Sequence, residues 1–590
     1  MKRTPKGRLE LTWMGKDSAL IPVEEGKYDY AWVDPDDPRA REVKSIEVLE
    51  QVGEIDGPTG ANENLLIIGD SGDALRSLAT IPEYHDKYAG QVKLVYIDPP
   101  FNTEQTFEHY ADQLEHSIWL TMMRDRIRDL KPLLAGDASV WVHLDDAEVH
   151  RMRVLLDEEF GPENFVGTIV WQKRYSRESR PAIGEVHDSI HVYAPNAKKW
   201  KDVRHKLPRA SAKEYKNPDN DPRGPWRVVP MTAPGTRANQ QYEIVGPDGR
   251  VHLPPAGRCW STIESGYQEL LRQGRIRFGV TGRGAPGILR YLDEDEGLTP
   301  WTWWPHEEVG HTDESKKEIQ ALFPGQSVFD TPKPERLLSR IIHIASSPGD
   351  LVLDFFGGSG TTAAVAHKMG RRWMSVELSQ SNADRFIRPR LSKVVHGEDV
   401  GGVSAPTERV AQRELPEGLT PEEAHDFSRY LSRVVKSTSG LDPVTVKALR
   451  DATATREEKT VLWEGGGGFT VARMGPSMYG MDDEDGEVYL SSEATNGAWS
   501  KAIAGQLKFT LTPDNPVFAG VRKRQRLAVI DGVADETVVR TVVENLADNE
   551  RAVIVAKGVV PEAAELLRSL SPGSRIKKAP GDIFTKGTVN

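Results

Sequence analysis

Twice in this 590-residue chain an apolar run that reads as a buried strand ends in a turn crowded with polar, proline or glycine residues. Val92 to Ile97 leads into Asp98-Pro99-Pro100-Phe101, and Leu351 to Leu353 leads into Asp354-Phe355-Phe356-Gly357-Gly358-Ser359-Gly360. Each lies where short apolar runs alternate with segments whose apolar residues recur at helical spacing. In the first stretch Leu65–Ile68, Val92–Ile97, Ala138–Val142 and Val166–Trp171 read as strands. Helices start at Ala74, run through Trp119, Met122, Met123, Ile127 and Leu130, and span Val149–Phe160 before Gly161-Pro162. In the second, Leu337, Leu338, Ile341, Ile342 and Ala345 follow Pro334 as a helix. The helix Thr361–Met369, capped by Gly370, then lies between strands Leu351–Asp354 and Trp373–Glu377. Strands alternating with helices of these lengths imply an α/β fold with a Rossmann-like, doubly wound sheet.

From Lys173 to about Phe323 the alternation fails, and the chain becomes rich in Pro, Gly and Trp. An insert between two halves of one sheet is the simplest account. The expected boundaries are an amino-terminal segment 1–60, a first half 61–172, an insert 173–320, a second half 321–396, a linker 397–419 and a separate mixed α/β domain 420–590. Gly465-Gly466-Gly467-Gly468 marks a turn in that last domain. Net charge is -12, yet Trp171 to Arg290 holds 22 Lys and Arg against 11 Asp and Glu. A basic module on an acidic body suits a DNA-contacting protein, and a solvated, loop-rich surface carries the same signature. The one cysteine, Cys259, excludes an internal disulfide framework and any multi-cysteine metal site, which fits a reducing compartment. Met1 to Gly7 is basic with no apolar run behind it, and no run approaches about 18 apolar residues. A soluble, cytoplasmic protein with no membrane partner is expected.

The glycine turn has a clear physical use. Small residues at 357, 358 and 360 let the chain bend from strand to helix and let a ligand approach the backbone, while the helix start offers free amide donors. Glu377 ends the next strand, where an acid can accept hydrogen bonds from both hydroxyls of a ribose. Such a turn alone occurs in many nucleotide-binding folds. The proline turn is more specific. An exocyclic amine on a nucleobase is a poor nucleophile because its lone pair is delocalised into the ring. If the Asp98 carboxylate and the Pro99 carbonyl both accept from that amine, the nitrogen is drawn toward tetrahedral geometry and its lone pair is freed. Two prolines stiffen the loop so that a carbonyl can face the pocket, and Phe101 can stack on the base. The base must leave the duplex for this to happen. A rigid turn with a capping Asp and a core Phe is the bland alternative.

Together these segments resemble the modification subunit of type III restriction-modification systems, a permuted, β-class DNA adenine amino-methyltransferase. The resemblance runs from about Asn62 to Lys173 and from about Gly310 to Arg390. It includes Val95-Tyr96-Ile97-Asp98-Pro99-Pro100-Phe101-Asn102-Thr103, His311-Thr312-Asp313-Glu314-Ser315-Lys316-Lys317-Glu318 and Phe329-Asp330-Thr331-Pro332-Lys333-Pro334, and Leu11 to Lys16 adds a shorter match. It implies a methyltransferase sheet whose catalytic half precedes its cofactor half, S-adenosylmethionine as cofactor, no metal, and an insert that recognises the target. It also implies Asp98, Pro99, Pro100 and Phe101 as the catalytic set. The implied cofactor-binding set is Asp70, Lys333, Asp354, Phe356, Gly358, Gly360, Thr361 and Glu377. Within it, Asp70 would sit near the adenine, Lys333 near the carboxylate end and Phe356 against the adenosyl group. Gly357 stands where the family commonly has Ala. The implied partners are double-stranded DNA, a second copy of the chain and a helicase-nuclease restriction subunit, with residues 420–590 serving assembly. Cytosine, an RNA base or a protein glutamine as the methylated amine, and a non-catalytic specificity role, are the alternatives. Glutamine enzymes usually show Asn at the position of Asp98, and cytosine enzymes more often Ser.

Overall fold

The computed structural model describes residues 9–584 apart from 24–25, 56–63, 103–114, 177–181, 209–214, 280, 295–296, 327–328, 400, 417, 439 and 483–487. Met1–Gly7 and Thr103 lie outside the described residues.

Ten strands form one sheet. In chain order they are β1 (Ile46–Gly53), β2 (Asn64–Ile68), β3 (Val92–Ile97), β4 (Leu134–Leu144), β5 (Phe165–Gln172), β6 (His187–Tyr193), β7 (Trp303–Trp304), β8 (Leu351–Asp354), β9 (Arg372–Glu377) and β10 (Gly468–Met474). Their spatial order is β7-β5-β6-β4-β3-β8-β9-β2-β10-β1. The run β4-β3-β8-β9-β2-β10 is parallel throughout. On one side β6 is antiparallel to β4 and β5 to β6, and on the other β1 is antiparallel to β10.

Parallel strands are covered on both faces and read as unbroken apolar runs; every residue of β2 and β8 is buried. Leu65, Ile67, Val95, Ile97, Leu351 and Leu353 pack into a core with Leu75, Leu78, Trp119, Met122 and Met123 from helices Ser71–Thr80 and His116–Leu130. Each such side chain withdrawn from water contributes about 1.5–3 kcal/mol. Helices Glu335–Ala345 and Thr361–Lys368 pack against β3, β8 and β9. Among the described residues no helix is long and apolar enough to cross a membrane.

Three expected boundaries differ. The second compact unit spans Lys206–Pro300, not 173–320. Strands β6 and β7 flank it and belong to the large sheet. They escape detection because β7 is two residues long and β6 carries the polar residues His187, Asp188, Ser189 and His191 in a buried setting. The unit holds a three-stranded antiparallel sheet (Trp226–Pro230, Ile276–Arg277, Gly287–Tyr291) and a small core of Met231, Ile244, Trp260, Tyr267, Phe278 and Ile288. It carries 14 Lys and Arg against 11 Asp and Glu, because the acidic Asp293-Glu294-Asp295-Glu296 offsets much of the basic excess.

Residues 420–590 are also not a separate sequence block, because β10 leaves them to enter the main sheet between β2 and β1. Positive φ at Gly465, Gly466 and Gly467 steers the chain into β10, and Gly466 N donates to Val395 O at 2.7 Å. After β10 that region forms a separate five-stranded sheet from Thr510–Leu511, Gly520–Arg522, Gln525–Ala534, Arg551–Val559 and Arg575–Lys578. The segment 1–60 supplies β1, and the presumed linker supplies Thr407–Ala411, paired with Thr455–Lys459.

Candidate active site

Because β3, β8 and β9 are adjacent and parallel, their carboxyl ends deliver Asp98, Asp354 and Glu377 side by side. This is the edge where ligands bind in open α/β sheets. All three line a cavity of about 500 Å³, together with Pro99, Pro100, Phe101, Lys333, Phe356, Gly358 and Thr361. Ten of the twelve expected site residues therefore share one cavity.

Asp98 is bound on one oxygen. Lys333 Nζ donates to Asp98 Oδ2, whereas Oδ1 is buried and has no hydrogen-bond partner among the described residues. Trp119 Nε1 donates to Pro100 O at 2.8 Å and so fixes the proline turn. The Phe101 ring stacks on His143 with centroids 6.0 Å apart, and Lys333 Nζ lies 5.1 Å from its centroid.

Lys333 reaches Asp98 from a segment braced on both sides of it. Ser315 Oγ donates to Pro332 O at 2.7 Å, Arg336 grips Glu314 with two bonds of 2.7 Å, and Glu335 N donates to Glu318 Oε2 at 3.1 Å. The His311–Glu318 stretch singled out in the sequence is thus a buttress, with only Thr312 and Lys316 on the cavity wall.

The glycine turn is tied to Glu377. Gly358 N donates to Glu377 Oε2 at 2.8 Å and Ser379 N to Oε1 at 3.0 Å, while Phe356 N donates to Asp354 Oδ1 at 3.0 Å. Burial raises both acids to about 7 despite these bonds, with the negative charges of Asp98 and Glu377 contributing to the rise at Asp354. Gly358 has φ +53°, a region that disfavours side chains. A Cβ on Gly357 would lie 2.8 Å from Ser375 Oγ, itself buried with no hydrogen-bond partner among the described residues.

Two expected residues lie elsewhere. Gly360, with φ +72°, is the cap of helix Thr361–Lys368 and sits behind the wall. Asp70 lines a different, larger cavity of about 1120 Å³. There it caps helix Ser71–Thr80 through Gly72 N at 2.8 Å and Asp73 N at 3.2 Å, and it pairs with Arg126 Nη2 at 2.6 Å. The larger cavity is lined by paired charges and holds none of the proline or glycine turn.

Sequence reasoning missed Tyr28, Tyr96, Asp188 and Asp330 on the wall. Tyr28 comes from an aperiodic segment and lies 6.4 Å from the Phe356 ring. The one available signal for the Tyr96–Asp188 region is polar: His143 interrupts the apolar run of β4.

A family model described as DNA methylase matches residues 92–387, half of the chain and both turns. The StyLTI Mod subunit of a type III restriction-modification enzyme from Salmonella typhimurium is 32% identical over 335 residues, 51% of this chain and 49% of that protein. The type II methyltransferase M.EcaI from Enterobacter cloacae is 29% identical over 383 residues, 62% and 80% respectively. The EcoPI Mod subunit from Escherichia phage P1 is 27% identical over 373 residues, 52% and 55%. The chain thus spans about half the length of these type III relatives. With the match running unbroken from the proline turn on β3 through the glycine turn on β8 to the acid that ends β9, the chain belongs to the DNA methylase family.

Proposed function

We propose that the chain transfers a methyl group from S-adenosylmethionine to the exocyclic amine of adenine in double-stranded DNA, as the modification subunit of a type III restriction-modification system. The observation that carries this reading is Asp98 Oδ1, buried with no hydrogen-bond partner among the described residues, next to Pro99 and at the end of the strand adjacent to the one that leads into the glycine turn. A buried acceptor left unmade is costly, so a donor from outside the chain is its natural complement.

The residues present fit the cofactor. Tyr28 and Phe356 offer aromatic faces for the adenosyl group, Glu377 an acceptor for ribose hydroxyls, and Lys333 a cation for the carboxylate end. Asp330 Oδ2, buried on the same wall with no hydrogen-bond partner among the described residues, is a further acceptor. Asp354, Gly358, Gly360 and Thr361 shape the turn around it. When bound, the cofactor supplies a methyl already activated by its sulfonium.

The chain's own work is positioning and charge. Asp98 Oδ1 and the Pro99 carbonyl accept the two N–H groups of the amine, freeing its lone pair, and Asp98 favours the positive charge that develops on nitrogen. The same carboxylate then takes the proton that the nitrogen sheds. Phe101 bounds the base, which must leave the duplex to reach the cavity. Holding the reacting atoms in line supplies much of the rate. The unit 206–300 serves target recognition, and the region after 420 serves pairing of two copies or docking of a restriction subunit. Cytosine is the second reading of the base; Asp98 in place of Ser favours adenine. Sequencing host DNA for 6-methyladenine, with the intact gene and with Asp98→Ala, tests the reading. A gene-dependent modified sequence lost in the variant supports it, and identical methylation in both sinks it.

A further inference from the structure

His143, on β4, has no part in the chemistry above, yet it is the hub of the wall around Asp98. Its ring is fully buried and does not line the cavity, but four residues that do line it converge on the ring. Tyr96 Oη lies 2.8 Å from Nδ1 and Asp188 Oδ2 lies 3.2 Å from Nε2. Phe101 stacks at 26° between ring planes, and Trp171 meets the ring edge-on with centroids 5.3 Å apart. Lys173 Nζ donates to Asp188 Oδ1 at 2.6 Å and closes the chain of contacts.

The polarity of this chain follows from its charges. Burial pushes the Asp188 carboxyl up, but the hydrogen bond from His143 and the positive charges of Lys173 and Lys333 outweigh it and hold the group at about 2. Burial pushes His143 down, so its imidazole is neutral at ordinary pH. With Asp188 ionised, Nε2 carries the ring proton and Nδ1 accepts from Tyr96, a tautomer assigned from the network. Tyr96 therefore donates inward to His143, His143 donates to Asp188, and the Tyr96 oxygen keeps its lone pairs for the cavity. A ring bound at both nitrogens has its plane fixed, and a fixed ring fixes what stacks on it.

We propose that His143 is a positioning residue for the target base, setting the planes of Phe101 and Trp171 and holding Tyr96 and Asp188 so that the Asp98 side of the cavity accepts a planar base bearing an exocyclic amine. The inference rests on the methyl transfer proposed above. The alternative role is a buried histidine that only braces β3, β4 and β6.

The test uses the full chain on a duplex carrying the sequence found methylated in cells, with calorimetric affinity for S-adenosylmethionine as the second readout. His143→Phe keeps a ring against Phe101 but leaves Tyr96 and Asp188 unpaired; His143→Gln keeps one donor and one acceptor. We expect His143→Phe to lower kcat by about 50-fold or more with cofactor Kd within about twofold, the scale of a small misplacement of reacting groups, and His143→Gln to recover about tenfold of it. Tyr96→Phe removes one of the hydrogen bonds more gently and decides the matter should His143→Phe not fold. Wild-type kcat in either Phe variant overturns the proposal, as does a parallel loss of cofactor affinity and transfer in all three variants. No transfer by the unaltered chain sinks the methyltransferase reading, and this inference with it.

Discussion

Asp98 and Lys333, 235 positions apart in the chain, meet in an ion pair at the carboxyl end of β3. One carboxylate oxygen is thereby fixed and the other left for a donor. Asp98→Ala is expected to keep cofactor affinity within about twofold while lowering methyl transfer by about 10²–10³, the cost of losing one preorganised electrostatic contact to the transition state. Calorimetry and methyl incorporation separate the two effects, and near-normal turnover in the variant removes Asp98 from the mechanism.

The two acids at about 7 make cofactor binding depend on pH. Both are raised from 3.8 and 4.5, so between those values and 7 the folded chain holds more protons than the unfolded one, and stability falls as pH rises through that window. Binding runs the other way. If the ribose needs ionised Glu377, affinity at pH 6 is about tenfold weaker than at pH 8, as a single group titrating at 7 requires. Glu377→Gln should flatten the profile and cost about 1–3 kcal/mol of affinity at pH 8. A flat wild-type profile by calorimetry contradicts this.

How much of this was legible varies by element. The turns after β3 and β8 were readable because apolar runs must end, and the residues that end them are few and polar. Their adjacency was not, since no local pattern says which of the parallel strands lie side by side. Strand β6 was missed because its Asp188 and His191 are satisfied by residues on other strands: Asp188 by His143, and His191 Nδ1 by Thr168 Oγ1 at 2.9 Å. Polar residues satisfied by long-range partners look like loop. Asp70 is a cofactor residue by the family resemblance alone, and its place after β2 is equally suited to capping a helix.

Asp70 gives a sharp contrast for that reason. Losing its cap costs about 1 kcal/mol, and buried Arg126 would lose its carboxylate and keep only the neutral Ser71 Oγ, Met122 O and Tyr30 Oη as partners, which raises the penalty toward the lower end of about 3–5 kcal/mol. Asp70→Ala should therefore lower the thermal midpoint far more than cofactor affinity. A large loss of affinity with an unchanged midpoint would return Asp70 to the cofactor set.

At Gly357 the chain departs from the Ala common in the family, and Ser375 is the physical partner of that departure. Gly357→Ala puts a methyl 2.8 Å from the Ser375 hydroxyl, an overpacking worth about 1–3 kcal/mol unless the hydroxyl turns away. Ser375→Ala removes an unpartnered buried oxygen and is expected to be neutral or mildly stabilising. The pair should be non-additive: Gly357→Ala costs less in the Ser375→Ala background, where Ile387 Cδ1 at 3.1 Å and Val376 O at 3.2 Å still crowd the added methyl, and a denaturation cycle measures the coupling. Strict additivity would show that the two side chains do not compete for space.

Specificity should travel with 206–300 rather than with 173–320. The ends of the unit are held together by Leu207 and Leu298, which exchange backbone hydrogen bonds of 2.9 and 2.8 Å, so a graft cut there brings its own closure. A cut at 173 instead removes β6, and with it Asp188, the partner of His143 and Lys173. Exchanging 206–300 for the corresponding unit of a relative is therefore expected to move the methylated sequence at near-normal rate, whereas exchanging 173–320 with a donor lacking that aspartate should abolish transfer on either sequence. Sequencing modified DNA from cells carrying each chimaera gives the answer. Retention of the old sequence by the 206–300 chimaera would assign target reading to another part of the chain, since the net charge of the unit is only slightly basic and supplies little affinity of its own.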